Sequence, residues 1–379
     1  MHGGETSGLS QANTVLGSID ELKTHGIYLR DHIIDTTCNF IERISKDDDF
    51  ILASLDIIER ISEDDDFILA DLNKEEDSVI EKLLSMNLPV FFIVRGPSGS
   101  VGEGVARLLR DDRVAAVIRN TNLIDLSLNN NCVSEKVKHR FHVKLLNEDN
   151  GQTGSQSREY PITIKSFDKL LTGYSIATYP RLDKVTSLKW DLIELRDIDI
   201  SFVGKTQYGD LTLERHRNQA VETLTKLDPM KFNVHCAVTK TQSVKPYTKK
   251  RFYEIMLRSK AVLSPWGYGE VCIRDFEAML AGAIVIKPDM SHLTTVPDFY
   301  RANETYIPCR RDFSDVEDLL NRVVDDWKEF RAMRREARHV VMESRKPKRI
   351  AKQIAELIYR GLSSSALDKI DKEQFSCLP

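Results

Sequence analysis

Short apolar runs alternate with amphipathic segments along the second half of the chain, and this alternation restricts the fold more than any other feature. From residue 196 onwards the strand-like run "DISFVG" precedes the helical pattern "LERHRNQAVETLTKL". The same order is repeated in "FNVHCAV" and "TKKRFYEIMLRSK", and again in "AVLSPW" and "EVCIRDFEAMLAG". Short strands that alternate with helices predict a parallel sheet with helices on both faces.

The first half carries a weaker form of the same pattern, in which "GEGVARLLRDD" has helical spacing between the strand-like runs "LPVFFIVRG" and "RVAAVIRN". A length of 379 residues suits two domains with separate cores. We therefore predict an α/β protein with two Rossmann-like domains facing a cleft, at residues 1–195 and 196–346. Pro347 interrupts a long helical pattern, so residues 347–379 are predicted to form a return helix and tail. Residues 129–180 are predicted to form irregular loops.

A 17-residue segment near the start of the chain occurs twice. "IERISKDDDFILASLD" begins at Ile41 and "IERISEDDDFILADLN" begins at Ile58. A solenoid needs at least about three such units, so the repeat indicates a local duplication. Each copy has one apolar run that is long enough for a buried strand. We predict that only one copy is needed for the fold.

Composition excludes several classes of protein. A formal net charge of -4 gives no general attraction to nucleic acid. The six cysteines are scattered without a C-x-x-C pair, which predicts neither a zinc site nor a disulfide framework. No apolar run reaches the ~18 residues of a membrane span, and the first residues do not resemble a signal peptide. We expect a cytoplasmic protein.

The segment "VLSPWGYGEVCIRDFEAMLAGAIVIKPDMSHL" raises the question of function. A glycine-rich turn after a strand opens a helix, and the amide groups at such a helix start favour phosphate. The spacing of Glu270, Arg274 and Glu277 predicts one shared helical face. That face is either an exposed ladder of ion pairs or a ligand site. In a ligand site the Arg274 guanidinium would bind a diphosphate and the Glu277 carboxylate would bind a ribose.

This segment resembles the donor-binding segment of GT-B glycosyltransferases, in particular the bacterial-type group 1 and exostosin-like enzymes. The upstream "FVGKTQYGD" is similar to the glycine-rich start of their C-terminal domain. The resemblance implies that the second domain binds a nucleotide-sugar and the first offers the acceptor, and it matches Glu277 to the ribose-binding glutamate. The common retaining pattern has seven residues between two glutamates, whereas six separate Glu270 from Glu277. Inverting and retaining outcomes therefore both stay open.

Further candidate residues follow from position. Lys205 and Thr206 follow a strand and would contact the donor diphosphate, and the turn residues Gly267, Tyr268 and Gly269 would lie beside it. We predict Arg274, Glu270 and His142 as catalytic residues. A catalytic base must lie within hydrogen-bond reach of the acceptor, and the other candidates for it are His292, Glu103 and Asp71. The loop "VRGPSGSVGEG" either lines the cleft or is a structural turn.

The expected function is metal-independent glycosyl transfer, hexosyl or pentosyl, in polysaccharide biosynthesis. The donor would be a nucleotide-sugar, the acceptor a glycan or glycoconjugate, and no cofactor is expected. A nucleotide-sugar epimerase and a non-catalytic module that binds sugar-nucleotide or glycan are the alternatives. The basic segment at residues 327–360 is either a peripheral membrane contact or a solvated helical face.

Overall fold

The computed structural model describes residues 31–33, 41–43, 50–53, 67–72, 77–86, 88–94, 98–126, 128, 141–149, 167–173, 182, 196–239 and 247–364. The elements of the first half are β1 (Asp31–Ile33), β2 (Ile41–Arg43), β3 (Phe50–Ala53), β4 (Phe67–Leu72), α1 (Asp77–Leu84), β5 (Val90–Val94), α2 (Glu103–Arg110), β6 (Val114–Arg119), β7 (Thr121–Leu123), α3 (Phe141–Asp149) and β8 (Leu170–Thr172). Those of the second half are β9 (Ile198–Lys205), α4 (Leu211–Lys226), β10 (Val234–Thr239), α5 (Lys249–Arg258), β11 (Ser259–Leu263), α6 (Ile273–Leu280), β12 (Ile284–Pro288), β13 (Leu293–Thr295), β14 (Ile307–Cys309), α7 (Val316–Asp325), α8 (Arg331–Ser344) and α9 (Pro347–Ser364).

The sheet of the first half is wound in one direction. Its strands lie in the order β3-β4-β5-β6-β8, and all neighbours are parallel. Parallel connections are right-handed, so successive crossovers in one direction place their helices on the same face. Apolar side chains of α1 and α2 accordingly share one cluster with one face of the sheet. The opposite face is left for another element to cover.

Helix α9 covers that second face. Its buried side chains form one cluster with residues of the strands; the strand members are Leu69, Phe91, Ile93, Ala115, Ala116, Ile118 and Leu171. At Gly361 the helix comes so close that an added Cβ would overlap the Phe91 ring. The predicted return of the C-terminal helix is confirmed, and the unidirectional winding explains why the sheet requires it.

The two copies of the repeat form neighbouring strands. β3 comes from the first copy and β4 from the second, and they pair in parallel with Phe50 beside Phe67 and Ala53 beside Ala70. Each residue of β3 therefore lies next to its own duplicate. Among the described strands β3 lies at the edge of this sheet, whereas β4 lies between β3 and β5. Whether one copy suffices stays a prediction.

The sheet of the second half has a strand order that reverses. The order is β10-β9-β11-β12-β14, and all neighbours are parallel. The chain passes from β9 to β10 on one side of β9 and later adds β11 on the other side. Ala220 and Leu224 of α4 cover one face together with apolar side chains of α7, and most apolar side chains of α5, α6 and α8 cover the other. The predicted pair of Rossmann-like units is confirmed.

The halves contact each other through elements that the sequence did not predict. β7 of the first half pairs antiparallel with β13 of the second, with Leu123 beside Leu293. The expectation of irregular loops over residues 129–180 is wrong for α3 and β8. Helix α3 forms because Val143 and Leu146 both reach the apolar cluster that contains Leu213 of α4. Among the described residues, no helix has the length and apolar character that a membrane crossing requires.

Candidate functional site

The candidate site lies at the carboxyl ends of β9 and β11, where the strand order reverses. Loops 206–210 and 264–272 follow these two strands. In open α/β sheets, ligands bind at this topological switch point. The edge where a ligand is expected therefore brings together two groups of residues that the sequence singled out. These are Lys205 with Thr206, and the candidates between Gly267 and Glu277.

The prediction of a shared helical face for Glu270, Arg274 and Glu277 is wrong. α6 begins at Ile273, so Glu270 belongs to the preceding loop. Both glutamates are fully buried. Among the described residues no carboxylate pairs with Arg274, so the exposed ladder of ion pairs is also absent there.

A buried carboxylate determines where α6 begins. Asp275 accepts hydrogen bonds from the backbone N–H of Cys272 at 3.1 Å, from the Ser264 hydroxyl at 2.5 Å and from the Tyr300 hydroxyl at 2.7 Å. The Lys287 ammonium lies 3.2 Å from it. These contacts join the first turn of α6 to β11 and β12, and so fix the direction in which the helix presents Arg274.

Two arginines lie side by side at the switch point without a carboxylate partner in the described structure. The Nη1 atom of Arg274 and the Nη2 atom of Arg217 are buried and lack hydrogen-bond partners there. A Cβ atom on Gly204 would lie 2.6 Å from Arg274 Nη2 and 3.1 Å from Arg217 Nη2, so only glycine leaves room for both guanidiniums at this position. Burial and the charge of Arg274 lower the pKa of Arg217 to about 10. Unpaired buried cations are costly, and an anion bound between them would relieve the cost.

Arg217 also holds the glycine-rich turn in place. Its Nε atom donates to the Lys205 carbonyl at 2.8 Å, and Nη1 donates to the carbonyls of Pro265 at 3.3 Å and Trp266 at 3.1 Å. One side chain thus joins the end of β9 to the loop after β11. The two edges of the switch point are kept at a fixed separation.

Aromatic residues form the rim above the arginines. Tyr208 packs on Tyr268 with ring centroids 4.7 Å apart, and the Tyr268 hydroxyl donates to the Tyr208 carbonyl at 2.8 Å. The Arg217 guanidinium lies 4.9 Å and the Lys205 ammonium 5.1 Å from the Tyr208 ring centroid. Lys205 is exposed and Thr206 is buried. Lys205 can therefore reach a ligand from the solvent side.

Glu277 points into the contact between α5 and α6. Its Oε1 atom accepts a hydrogen bond from the Tyr253 hydroxyl at 3.3 Å. Glu277 lies one turn after Arg274 on the same helix. The carboxylate is thus held by a neighbouring helix, one turn along α6 from Arg274.

Glu270 joins the two halves of the molecule. Its Oε2 atom lies 3.3 Å from His142 Nδ1 and accepts from the Gly99 N–H at 3.3 Å, while Oε1 lies 3.7 Å from His292 Nε2. Burial raises the pKa of Glu270, but the two neighbouring imidazoles, with that of His142 the stronger, outweigh it and hold the pKa well below its usual range. His142 Nε2 donates to the Gly267 carbonyl at 3.1 Å. The predicted catalytic residues His142 and Glu270 are thus in contact, and both are fully buried.

Sequence reasoning missed Arg217, Arg119 and Tyr253. A signal for Arg217 was present, because it interrupts the apolar stripe that Leu213 and Leu224 form on α4. Tyr253 and Arg119 follow ordinary helix and strand patterns and carry no such signal. The side chains of the base candidates Glu103 and Asp71 lie outside the described part of the structure.

Comparison with known proteins identifies one family for part of the chain. Residues 215–356 match the family model described as glycosyl transferase-like, and this range includes Arg217, Glu270, Arg274 and Glu277. The resemblance seen in the sequence motifs is confirmed over this range, and the match supports glycosyl transfer as the general activity. No curated protein matches the chain.

Solved structures of similar architecture have low sequence identity to this chain. A glycosyltransferase from Rickettsia africae has 12% identity, 92% coverage of this chain, 94% coverage of its own and a TM-score of 0.48. HepE from Anabaena, in complex with UDP and glucose, has 11% identity, 80% coverage of each chain and a TM-score of 0.42. A variant of S. aureus TarM, in complex with fondaparinux, α-GlcNAc-glycerol and UDP, has 12% identity and a TM-score of 0.45. The TarM match covers 78% of this chain and spans 55% of the TarM chain.

Proposed function

We propose that the protein transfers a sugar from a nucleoside diphosphate-sugar to a hydroxyl group of a glycan or glycoconjugate. The observation that carries this proposal is the pair of guanidiniums at the switch point, where Arg274 and Arg217 lie together beside Gly204 and each has a buried nitrogen without a hydrogen-bond partner in the described structure. A diphosphate supplies the two negative charges that such a pair can bind. The family match over residues 215–356 supports the same class of reaction.

In this reaction the acceptor oxygen forms a bond to the anomeric carbon of the donor, and the bond from that carbon to the β-phosphate oxygen breaks. The departing diphosphate gains negative charge, which Arg274, Arg217 and exposed Lys205 stabilise. These cations supply the positive charge that a metal would otherwise provide, so we propose that no metal and no cofactor are needed. Turnover that survives EDTA treatment would support this point, and turnover restored only by a divalent cation would contradict it.

We assign the donor ribose to Glu277 and the rim of the site to Thr206, Gly267, Tyr268 and Gly269. A carboxylate accepts hydrogen bonds from two ribose hydroxyls, and Tyr253 orients one of its oxygens. The acceptor proton would pass to the pair of Glu270 and His142, which share one contact at 3.3 Å. The sugar, the nucleotide and the stereochemical outcome are left open by this assignment.

The burial of Glu270 and His142 favours a second candidate, a non-catalytic module that binds a nucleotide-sugar. Both side chains are inaccessible in this arrangement of the halves. An acceptor can reach them only if the halves separate at this contact. Binding of a nucleotide-sugar without any turnover would favour the module over the enzyme.

The test combines binding with turnover. UDP, GDP and ADP and their hexose and pentose conjugates are screened by thermal shift, since a ligand at 100 Kd adds ~2.7 kcal/mol of stability. Arg274→Ala should then lower kcat about 10²-fold or more with the ligand that binds. Arg274→Lys should restore little, because a point charge cannot reproduce a two-pronged contact.

The control for this test is Arg258→Ala, since Arg258 pairs with Asp197 on the exposed surface. Its turnover should equal that of the wild type. Glu277→Gln should weaken nucleotide binding while the protein stays folded. Wild-type turnover in both Arg274 variants would contradict the assignment of the diphosphate site.

The domain boundaries at residues 195 and 346 stay predictions. The cytoplasmic location, with a peripheral membrane contact, also stays a prediction. Several basic residues of α8, of α9 and of the turn between them are exposed, namely Arg331, Arg335, His339, Lys346, Lys348, Arg349 and Lys352. Some of them pair with acidic neighbours, as Lys346 does with Glu343. Such pairs suit a solvated face, so the membrane contact is the weaker of the two interpretations.

A further inference from the structure

A buried arginine organises the glycine-rich loop of the first half. Arg119, the last residue of β6, is 5% exposed. Its Nη2 atom donates to the carbonyls of Ser98 at 2.9 Å and Ser100 at 3.0 Å, and Nη1 donates to the carbonyl of Gly99 at 3.1 Å. Nη1 also donates to the Asn122 side chain at 3.1 Å. Three successive carbonyls of one loop are therefore turned towards a single guanidinium.

The same loop contacts Glu270 directly and also contacts the residue that precedes His142. The Gly99 N–H donates to Glu270 Oε2. The Ser100 hydroxyl accepts from the N–H of Phe141 at 2.7 Å, at the start of α3 and directly before His142. The loop thus lies between Arg119 on one side and the two candidate catalytic residues on the other.

We propose that Arg119 is a positioning residue for the transfer reaction, acting through loop 98–100 on Glu270 and His142. This inference rests on the proposed function, because it gives that pair a role in turnover. Arg119 touches neither of them in the described structure. It holds the carbonyls of the loop inward, so that the Gly99 amide faces Glu270 and the Ser100 hydroxyl faces the start of α3, directly before His142.

The geometry requires arginine at this position. A guanidinium presents its N–H groups in a rigid planar fork, which suits several fixed carbonyls at once. A lysine ammonium is a single point of charge and cannot hold the three carbonyls in the same directions. Loss of the fork would let the loop shift, and a shift of about 1 Å at a reacting group can cost roughly 10²-fold in rate.

The adjoining packing limits where the loop can lie. A Cβ atom on Gly99 would overlap the Leu293 side chain and lie 3.2 Å from Leu123 Cδ2. These two leucines are register partners in the pair of β7 and β13 that joins the halves. The loop is therefore confined between Arg119 and this pair of strands, with its amide edge towards Glu270.

Arg196 offers a matched control, since it is also 5% exposed and also donates to three carbonyls. These belong to Met256, Ser259 and Ala281, at the ends of α5 and α6 that lie away from the site. Arg196→Lys should lower the melting temperature and leave the catalytic pair unchanged. It measures the purely structural cost of losing a buried guanidinium.

The experiment compares Arg119→Lys, Ser100→Ala and Arg196→Lys in the full chain. Arg119→Lys should lower kcat about 10²-fold and change its pH profile, while the Kd of the nucleoside diphosphate that binds the wild type stays the same. Ser100→Ala should give a smaller change of the same kind, and it loses only one hydroxyl, so the fold is retained. The His142 ring signals are followed by NMR against pH in all three variants.

The NMR titration separates this inference from the proposed function. A shifted His142 titration in Arg119→Lys and Ser100→Ala, with none in Arg196→Lys, supports the positioning role even if no donor gives turnover with the wild type. In that case the proposed function alone would fail. An unaltered His142 titration and unaltered kcat in both loop variants would overturn the inference, as would equal losses of kcat in Arg119→Lys and Arg196→Lys.

Discussion

Glu270 is the residue at which ionisation and the association of the two halves are coupled. Burial raises its pKa, but His142 and His292 hold the pKa well below the usual range. A carboxyl group whose pKa is lower in the folded state stabilises the protein fully above its unfolded value of about 4.3. That stabilisation is lost as the pH falls through the lower folded value.

Replacing Glu270 should therefore have an effect that depends on pH. Glu270→Gln should cost about 3 kcal/mol or more near pH 7, because it breaks a buried pair and leaves its partners unsatisfied. The difference from the wild type should shrink as the pH falls below about 4.3, because the unfolded wild-type chain then takes up a proton at this carboxyl while the folded carboxyl keeps its charge to a lower pH. Melting temperatures of both proteins between pH 3 and pH 7 measure this difference.

Glu304→Gln is the control for this prediction, since Glu304 pairs with Arg301 and its side chain is 66% exposed. It should cost at most about 1 kcal/mol at any pH. A gap between wild type and Glu270→Gln that stayed constant down to pH 3 would show that the charge of Glu270 has no part in stability.

At the residue scale, spacing predicted which side chains gather but not how they are arranged. Arg274 and Glu277 lie on one helix as expected, because Asp275 caps its first turn and the apolar stripe of α6 is clear. Glu270 was misplaced because the sequence does not show that the helix starts after Cys272. The contact between Glu270 and His142 joins residues far apart in the chain, and no local pattern encodes such a contact.

At the scale of elements, strands that coincide with apolar runs could be predicted from the sequence, whereas the short elements α3, β7 and β13 could not. β5, β6, β9 and β11 coincide with runs recognised in the sequence. α3 was missed because nine residues with two deeply buried aliphatic side chains give a weak helical period. β7 and β13 were missed because a strand of three residues shows too little alternation of apolar and polar residues to be recognised. Each becomes a strand only by pairing with the other.

The repeat gives a prediction at this scale. Deleting residues 41–57 removes β2 and β3 and leaves β4 to β8 in place, so the shortened chain should unfold cooperatively with β4 as its edge strand. The expected loss is modest, because an edge strand has one neighbour while β4 has two. Urea unfolding followed by circular dichroism measures the midpoint and the cooperativity.

Deleting residues 58–74 instead is the matched comparison. It removes β4, and the run "FILA" of the first copy would have to take its place beside β5, which its identical sequence permits. Both shortened chains should then reach similar stability. Failure of the first deletion to fold would show that the edge strand is essential and that the duplication has become part of the architecture.

At the scale of the whole molecule, the two halves are joined by the pair of β7 and β13 and by α9, which packs on the sheet of the first half. The sequence predicted two units and a returning helix, since Pro347 marks where the helical pattern breaks. It did not reveal why the return is needed. In a sheet wound in one direction, the helices that connect its strands all lie on one face and leave the other face uncovered. This consequence follows from the strand order, which the sequence did not show.

Removing α9 should therefore unfold the first half selectively. Four aliphatic side chains of α9 are buried on the sheet, namely Ile350, Ile354, Leu357 and Ile358. Burying each contributes about 1.5–3 kcal/mol, which together is about 6–12 kcal/mol as an upper estimate. That amount is comparable to the whole stability of a typical domain, about 5–15 kcal/mol. A chain that ends at residue 346 should lose the cooperative transition of the first half.

Point substitutions test the same contact without truncation. Gly361→Val should destabilise the protein by about 1–3 kcal/mol, because its side chain would be forced against the Phe91 ring. Lys352→Ala, on the exposed side of α9, should change stability by no more than about 0.5 kcal/mol.

Nucleotide binding, measured by titration, should persist in the chain that ends at residue 346, because the switch point belongs to the second sheet. A truncated chain with the wild-type urea midpoint would show that the first sheet does not depend on α9 for its cover.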